Sequence, residues 1–123
     1  MVKLILLVLA LSVGVALAAP PRDITSRDAM TVMKNKKNVV LVDVRTPEEY
    51  RQARIQGALL IPVDQFERRA GEVPKKGPVI IYCAVGSRSR MAAQHLARLG
   101  YPEVYNMYDG LVGWYRNKLP IQY

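Results

Sequence analysis

The 123-residue chain has one cysteine, Cys83, and one histidine, His95. A lone thiol cannot close an intramolecular disulfide, and with a single imidazole beside it a structural zinc site is excluded. Chemistry at Cys83 therefore runs without a resolving thiol in the same chain. Aromatic residues make up only 7% of the sequence and do not interleave with basic ones, so a stacking platform for single-stranded nucleic acid is missing. Eighteen basic against ten acidic residues give a net charge of +8. Lys and Arg are scattered, a balance that suits small anionic ligands and argues against a nucleic-acid footprint. No internal repeat or low-complexity tract breaks the region after residue 19. Half of the residues are hydrophobic, enough for the core of one domain and too many for a disordered chain.

The first residues form a separate object. Lys3 is followed by an uncharged run, Leu4 to Ala19, rich in Leu, Val and Ala and closing on Ala16-Leu17-Ala18 before Pro20-Pro21. This is the order of a secretory signal: a basic start, an apolar stretch and an A-x-A cleavage site. At sixteen residues the run is shorter than the ~20 that span hydrocarbon. Cleavage after Ala18 is expected, leaving a domain over 19–123 with 17 basic and 10 acidic residues and no stable membrane anchor. The expected location is outside the cytoplasm: periplasmic in a Gram-negative cell, otherwise extracellular.

Chemistry concentrates between Val79 and Leu99. Val79-Ile80-Ile81-Tyr82 reads as a short buried strand, Cys83 to Ser89 as a tight loop of small residues, and Arg90 to Leu99 as a helix. A thiol at that junction faces loop amides and the positive end of the helix dipole, which favours the reactive thiolate. Successive amides of a curled loop form an anion nest, and Gly86 supplies backbone freedom there. Arg88 adds positive field, Ser89 and Ser87 are donors to the loop or sulfur and candidate helix caps, and Ala84 and Val85 keep the rim apolar. Arg90 reads as a solvated helix residue and His95 as a helix-face residue beyond the loop. No metal or cofactor is called for.

Elsewhere, strands alternate with helices. Ser26 is the expected N-cap of a helix over 27–34 with Ala29, Met30 and Met33 inward, and Lys34 to Asn38 is a polar connector. Val39-Val40-Leu41-Val42 lacks alternation, as a strand covered on both faces does. It leads to Asp43 and Arg45 at its C-terminal end, the edge where open α/β sheets bind ligands. They divide between structural pairing and support of the site. Thr46-Pro47-Glu48-Glu49 spells a capping box with Pro at the first helical position, opening a helix that carries Tyr50 inward. Gly57 makes a turn before Leu59-Leu60-Ile61. Asp64 is expected to cap a helix over 65–70 that Gly71 ends. Met91, Ala92, His95, Leu96 and Leu99 form the expected inner face of the helix that Gly100 ends. Val104-Tyr105-Asn106 is a last strand, and Asp109-Gly110 turns into a helix carrying Trp114 as a core anchor. The class is α/β with a mainly parallel sheet flanked by helices.

From Ile24 to Ile121 the chain resembles the single-domain rhodanese family of sulfurtransferases. The resemblance rests on four runs in order: Val42-Asp43-Val44-Arg45-Thr46-Pro47-Glu48-Glu49-Tyr50; Gly57-Ala58-Leu59-Leu60-Ile61-Pro62; Cys83 to Ser89 with Gly86, Arg88 and Ser89 in register; and Asp109-Gly110-Leu111 with Trp114 and Leu119-Pro120. It implies a rhodanese-like domain with a central five-stranded sheet. It also implies thiosulfate sulfurtransferase activity, in which Cys83 takes a sulfane sulfur from a small anionic donor (thiosulfate, polysulfide or a persulfide) and passes it to cyanide or a thiol. Ala84, Val85, Gly86, Ser87, Arg88 and Ser89 would form the persulfide-binding loop. Two positions depart from the family pattern. Ala53-Arg54-Ile55-Gln56 stands where Gly-His-Ile-Pro is common, and Asp109 stands where a glycine is usual, which would place a negative charge at the site mouth.

Two rivals share this architecture. A cysteine phosphatase or arsenate reductase needs C-x5-R to wrap a tetrahedral oxyanion. Arg88 instead gives C-x4-R, position 89 is Ser and Tyr82 precedes the cysteine, so the loop suits a sulfur atom. A non-catalytic binding or sulfur-carrier module would keep the fold without turnover. The retained Cys83 favours the enzyme.

Overall fold

In a computed structural model, residues 2–5, 7–10 and 19–123 are described. Within them the chain forms β1 (Arg22–Ile24), α1 (Ser26–Asn35), β2 (Val40–Asp43), α2 (Pro47–Gln52) and β3 (Leu59–Leu60). α3 (Phe66–Arg69), flanked by short 3-10 turns, β4 (Val79–Tyr82), α4 (Ser87–Arg98), β5 (Val104–Met107) and α5 (Gly110–Arg116) follow. The described strands make one five-stranded sheet, all parallel, in the order β1-β5-β4-β2-β3. β4 thus lies at the middle, paired with β2 through Val42↔Ile81 and with β5 through Val79↔Val104.

The unalternated apolar strands have the expected cause. Successive side chains point to opposite faces, and both faces of this sheet are covered. Val40, Val42, Val79, Ile81 and Cys83 pack with Phe66, Ala92, Ala93, Leu96 and Tyr101 on one side. Leu41, Ile80, Tyr82, Tyr105 and Met107 pack with Ala29, Ile55 and Trp114 on the other. Trp114 is buried and donates its indole N–H to Pro120 O at 2.8 Å. Thr46 opens α2 as expected: its hydroxyl accepts from Glu49 N at 3.1 Å while Glu49 Oε1 accepts from Thr46 N at 3.2 Å. Tyr50 is half-buried and bonds Ala58 O at 3.0 Å.

Several local expectations are corrected. β1 carries no apolar pattern, being largely exposed at the sheet edge, and escapes a reading based on hydrophobicity. Thr25, not Ser26, caps α1, accepting from Asp28 N at 3.1 Å. Asp64 caps nothing, and Gly71 sits inside a 3-10 turn, so the expected helix over 65–70 breaks into short turns around α3. α4 starts three residues early, at Ser87, and its buried face is Ser89, Ala92, Ala93, Leu96 and Ala97. Met91 and Leu99 are exposed; starting the helix at Ser87 brings the small residues, including Ser89, onto the sheet. Gly100 does end that helix, at φ +86°. The expected cleavage point after Ala18 lies outside the described residues. No helix among the described residues is long and apolar enough to cross a membrane.

Candidate active site

Cys83 follows the last residue of β4 and is fully buried. Its sulfur is the centre around which the loop curls. Gly86 N donates to Sγ at 3.1 Å and Ser89 N at 3.4 Å, with Ser89 Oγ also 3.4 Å away. Burial pushes the Cys83 thiol up; hydrogen bonds at the sulfur, those from the amides of Ser89, Val85 and Gly86 among them, outweigh it, and the thiol lies below its ordinary value.

Two glycines make this curl possible. Gly86 occupies the N-cap of α4 at φ +97°, and a Cβ there would stand 2.2 Å from Tyr108 O. Gly110 has φ +62°, and its Cβ would stand 2.2 Å from Ala84 O. That close approach lets the start of α5 hold the loop from behind: Leu111 N donates to Cys83 O at 2.8 Å and Val112 N to Ala84 O at 3.1 Å. With these carbonyls held by α5, the amides farther along the loop turn to the sulfur. The helix caps expected of Ser87 and Ser89 do not form, since Gly86 takes that position without a side-chain bond. Ser87 is exposed, while Ser89 is buried beneath the sulfur.

The charges near the loop come in pairs. Arg88 meets Glu49 in a two-bond fork at 2.7 and 3.0 Å. The guanidinium holds the Glu49 carboxyl at about 2, far below the usual range. Arg45 forks onto Asp43 inside the protein, with Nη2 2.7 Å from Oδ2, and also donates to Ala53 O at 2.6 Å. This pair ties the end of β2 to the end of α2, the structural half of the role expected for it. Each arginine faces a carboxylate that offsets part of its charge, and Arg88 acts on the Cys83 sulfur alongside the loop amides.

The remaining predicted positions spread outward. Val85 is exposed at the rim and Ala84 half-buried. Arg90 is exposed, and His95 stacks edge-on against Phe66 at 6.2 Å. Asp109 is not at the site mouth: its carboxylate accepts from Ser26 N at 2.8 Å and Ser26 Oγ at 2.7 Å, turned toward α1. Arg54 lies over the Tyr50 ring, 5.0 Å from its centre. Four participants went unassigned in the sequence. Outside the family runs that include them, Glu49 reads as a capping residue and Gly110 as a turn residue; Asn106 reads as a strand residue, and Asp23 carries no signal.

Comparison with known proteins agrees with this parallel α/β fold. The rhodanese-like domain model matches residues 26–117. The chain belongs to the rhodanese-like domain family. A sulfurtransferase of Allochromatium vinosum is 38% identical over 99 residues, covering 80% of this chain and 92% of the relative. The thiosulfate sulfurtransferase GlpE of Glaesserella parasuis is 35% identical over 100 residues, with 81% and 92% covered. Among solved structures, a rhodanese-related protein of Thermoplasma volcanium superposes with a TM-score of 0.72 at 24% identity, covering 82% of this chain and 97% of that one; at that identity it speaks for the fold. This rhodanese-like domain has sulfurtransferase relatives over nearly their full length, which supports sulfur transfer as its general chemistry.

Proposed function

We propose that the protein is a thiosulfate-type sulfurtransferase that works through a persulfide on Cys83. The observation that carries the reading is the convergence of Gly86 N and Ser89 N on Cys83 Sγ. Such a cradle favours a thiolate and accepts the charge of an anionic donor. The thiolate attacks the outer sulfur of thiosulfate, the S–S bond breaks, and sulfite leaves with the bonding pair. Cyanide or a thiolate then attacks the outer sulfur of the persulfide, and Cys83 departs as the thiolate the amides already hold. No general base is needed, because the nucleophile is formed before the donor arrives. The C-x4-R spacing supports sulfur over a tetrahedral oxyanion as the transferred group.

The signal-like order of Lys3, the Leu4 to Ala19 run and Ala16-Leu17-Ala18 supports export with cleavage after Ala18. The transfer would then take place beyond the cytoplasm. Thiocyanate formation from thiosulfate and cyanide tests the activity. The domain is expected to turn over and Cys83→Ser is expected to be inactive; equal inactivity of both with thiosulfate, polysulfide and organic persulfides would leave a non-catalytic module.

A further inference from the structure

Behind Cys83 lies a buried polar chain that the transfer chemistry above does not use. Ser89 Oγ is 2.6 Å from Asn106 Oδ1, and both residues are almost fully buried. Asn106 Nδ2 faces two oxygens, Asp23 Oδ1 at 3.2 Å and Gly86 O at 3.3 Å. A carbonyl and an ionised carboxylate only accept, so the NH2 group must point at them and the amide oxygen must point at Ser89. Two oxygens 2.6 Å apart need a hydrogen between them, and only the Ser89 hydroxyl can supply it. A hydroxyl has one hydrogen. Toward the sulfur, 3.4 Å away, Ser89 therefore presents a lone pair.

We propose that Asn106 is a positioning residue that takes the only hydroxyl proton of Ser89 and so withholds it from the Cys83 thiolate. The inference rests on Cys83 being the nucleophile. In the thiol form the S–H donates to Ser89 Oγ and the whole chain is satisfied. When Cys83 ionises, its proton leaves for solvent and the Ser89 hydroxyl has two acceptors, the thiolate and Asn106 Oδ1. Turning to sulfur leaves two amide and hydroxyl oxygens facing each other without a hydrogen, and flipping Asn106 would set its oxygen against Gly86 O and Asp23. The thiolate is thus held by backbone amides. A thiolate held less tightly is the stronger nucleophile, and the same hydroxyl orientation serves the neutral inner sulfur of a persulfide, which needs no donor.

Other charged or titratable groups surround the site from each packed element. They are Arg88 of α4 with Glu49 of α2, Asp43 with Arg45 at the end of β2, Tyr82 of β4, Asp23 of β1, and Asp109 turned to Ser26 ahead of α5. Changing Asn106 also removes the donor to Asp23 and Gly86 O, a loss that Asn106→Ala and the double variant share, so the comparison of those two isolates the Ser89 hydroxyl.

The test is the pH midpoint of the Cys83 thiolate ultraviolet absorbance, taken against Cys83→Ser, in wild type, Ser89→Ala, Asn106→Ala and the double variant. A donor to an ionised group is worth on the order of one pH unit. With Asn106 present, Ser89→Ala is expected to leave the midpoint within about 0.3 unit of wild type or to lower it, since only the thiol form uses Ser89 as an acceptor. Asn106→Ala alone is expected to lower it by about one half to one unit, and adding Ser89→Ala then to raise it by about one unit. A rise of a full unit in Ser89→Ala with Asn106 intact, or an Asn106→Ala effect that persists without Ser89, would overturn the proposal. Trp114 fluorescence reports folding. Should Asn106→Ala not fold, Asn106→Leu fills the space without an acceptor, and the Ser89→Ala result decides alone. The readout is a titration, so a normal pattern in a protein that transfers no sulfur would sink the proposed activity and leave this inference standing.

Discussion

Arg88 and Glu49 form a two-bond ion pair between the first turn of α4 and α2, 2.7 and 3.0 Å long, with each side chain about one-third exposed. Glu49 also closes the capping box on Thr46. One carboxylate thus fixes the start of α2 and ties the sulfur-binding loop to it. The Glu49 carboxyl sits at about 2 in the folded protein against an ordinary 4.5. A lowered carboxyl stabilises fully above its unfolded value and loses that contribution as pH falls through the folded one. The expected loss between pH 5 and 2 is about 1 kcal/mol after allowance for solvent screening. Chemical denaturation across that range is expected to show a shallower acid dependence in Glu49→Gln than in wild type; parallel curves would contradict the pairing.

Gly86 is irreplaceable for two independent reasons, its φ of +97° and the 2.2 Å approach to Tyr108 O. The left-handed angle alone costs a non-glycine residue about 1–2 kcal/mol, and the Cβ cannot be admitted without moving backbone. Gly86→Ala is expected to destabilise the fold by at least that amount and to cut sulfur transfer more than about tenfold, since the amide that meets Sγ moves with it. Thermal unfolding and the thiocyanate assay measure both. Wild-type activity in this variant would show that the cradle geometry is not needed.

Asp109 is a structural anion. Asp109→Asn keeps the shape but weakens the two bonds to Ser26, and is expected to cost about 1–2 kcal/mol while leaving the KM for thiosulfate unchanged. A several-fold fall in KM would mean that its charge reaches the donor.

The Arg45–Asp43 pair is buried, with side-chain exposures of 5% and 0%. Removing one partner strands the other charge, so Arg45→Ala is expected to cost about 3–5 kcal/mol. The double change Arg45→Met with Asp43→Leu is expected to cost much less. Denaturant unfolding of the three proteins separates a structural pair from one whose loss leaves stability unchanged.

Where backbone chemistry is local, the sequence is a good guide. The strand expected over 39–42 forms one residue later, over Val40–Asp43, and Val79–Tyr82, the Thr46-Pro47-Glu48-Glu49 cap and the Gly100 stop each read directly, because strand burial, capping and left-handed turns leave residue-level marks. The cysteine at the end of β4 and its glycine loop read equally well. What did not read is what depends on distant partners. β1 has no apolar pattern and exists through pairing with β5. Glu49 meets Arg88 39 residues later, and Asn106 and Asp23 meet 83 residues apart. Asp109 looked like a site charge until Ser26, 83 residues away, claimed it. Polar partners carry no periodicity, and only the fold reveals which ones meet.

The central claim is that Cys83 itself carries the transferred sulfur. Intact mass spectrometry of the domain after brief treatment with thiosulfate tests it most directly. The account predicts a gain of one sulfur atom, one sulfite released per chain, reversal by cyanide and no gain in Cys83→Ser. An unchanged mass in wild type with every sulfane donor, or the same gain in Cys83→Ser, would contradict it.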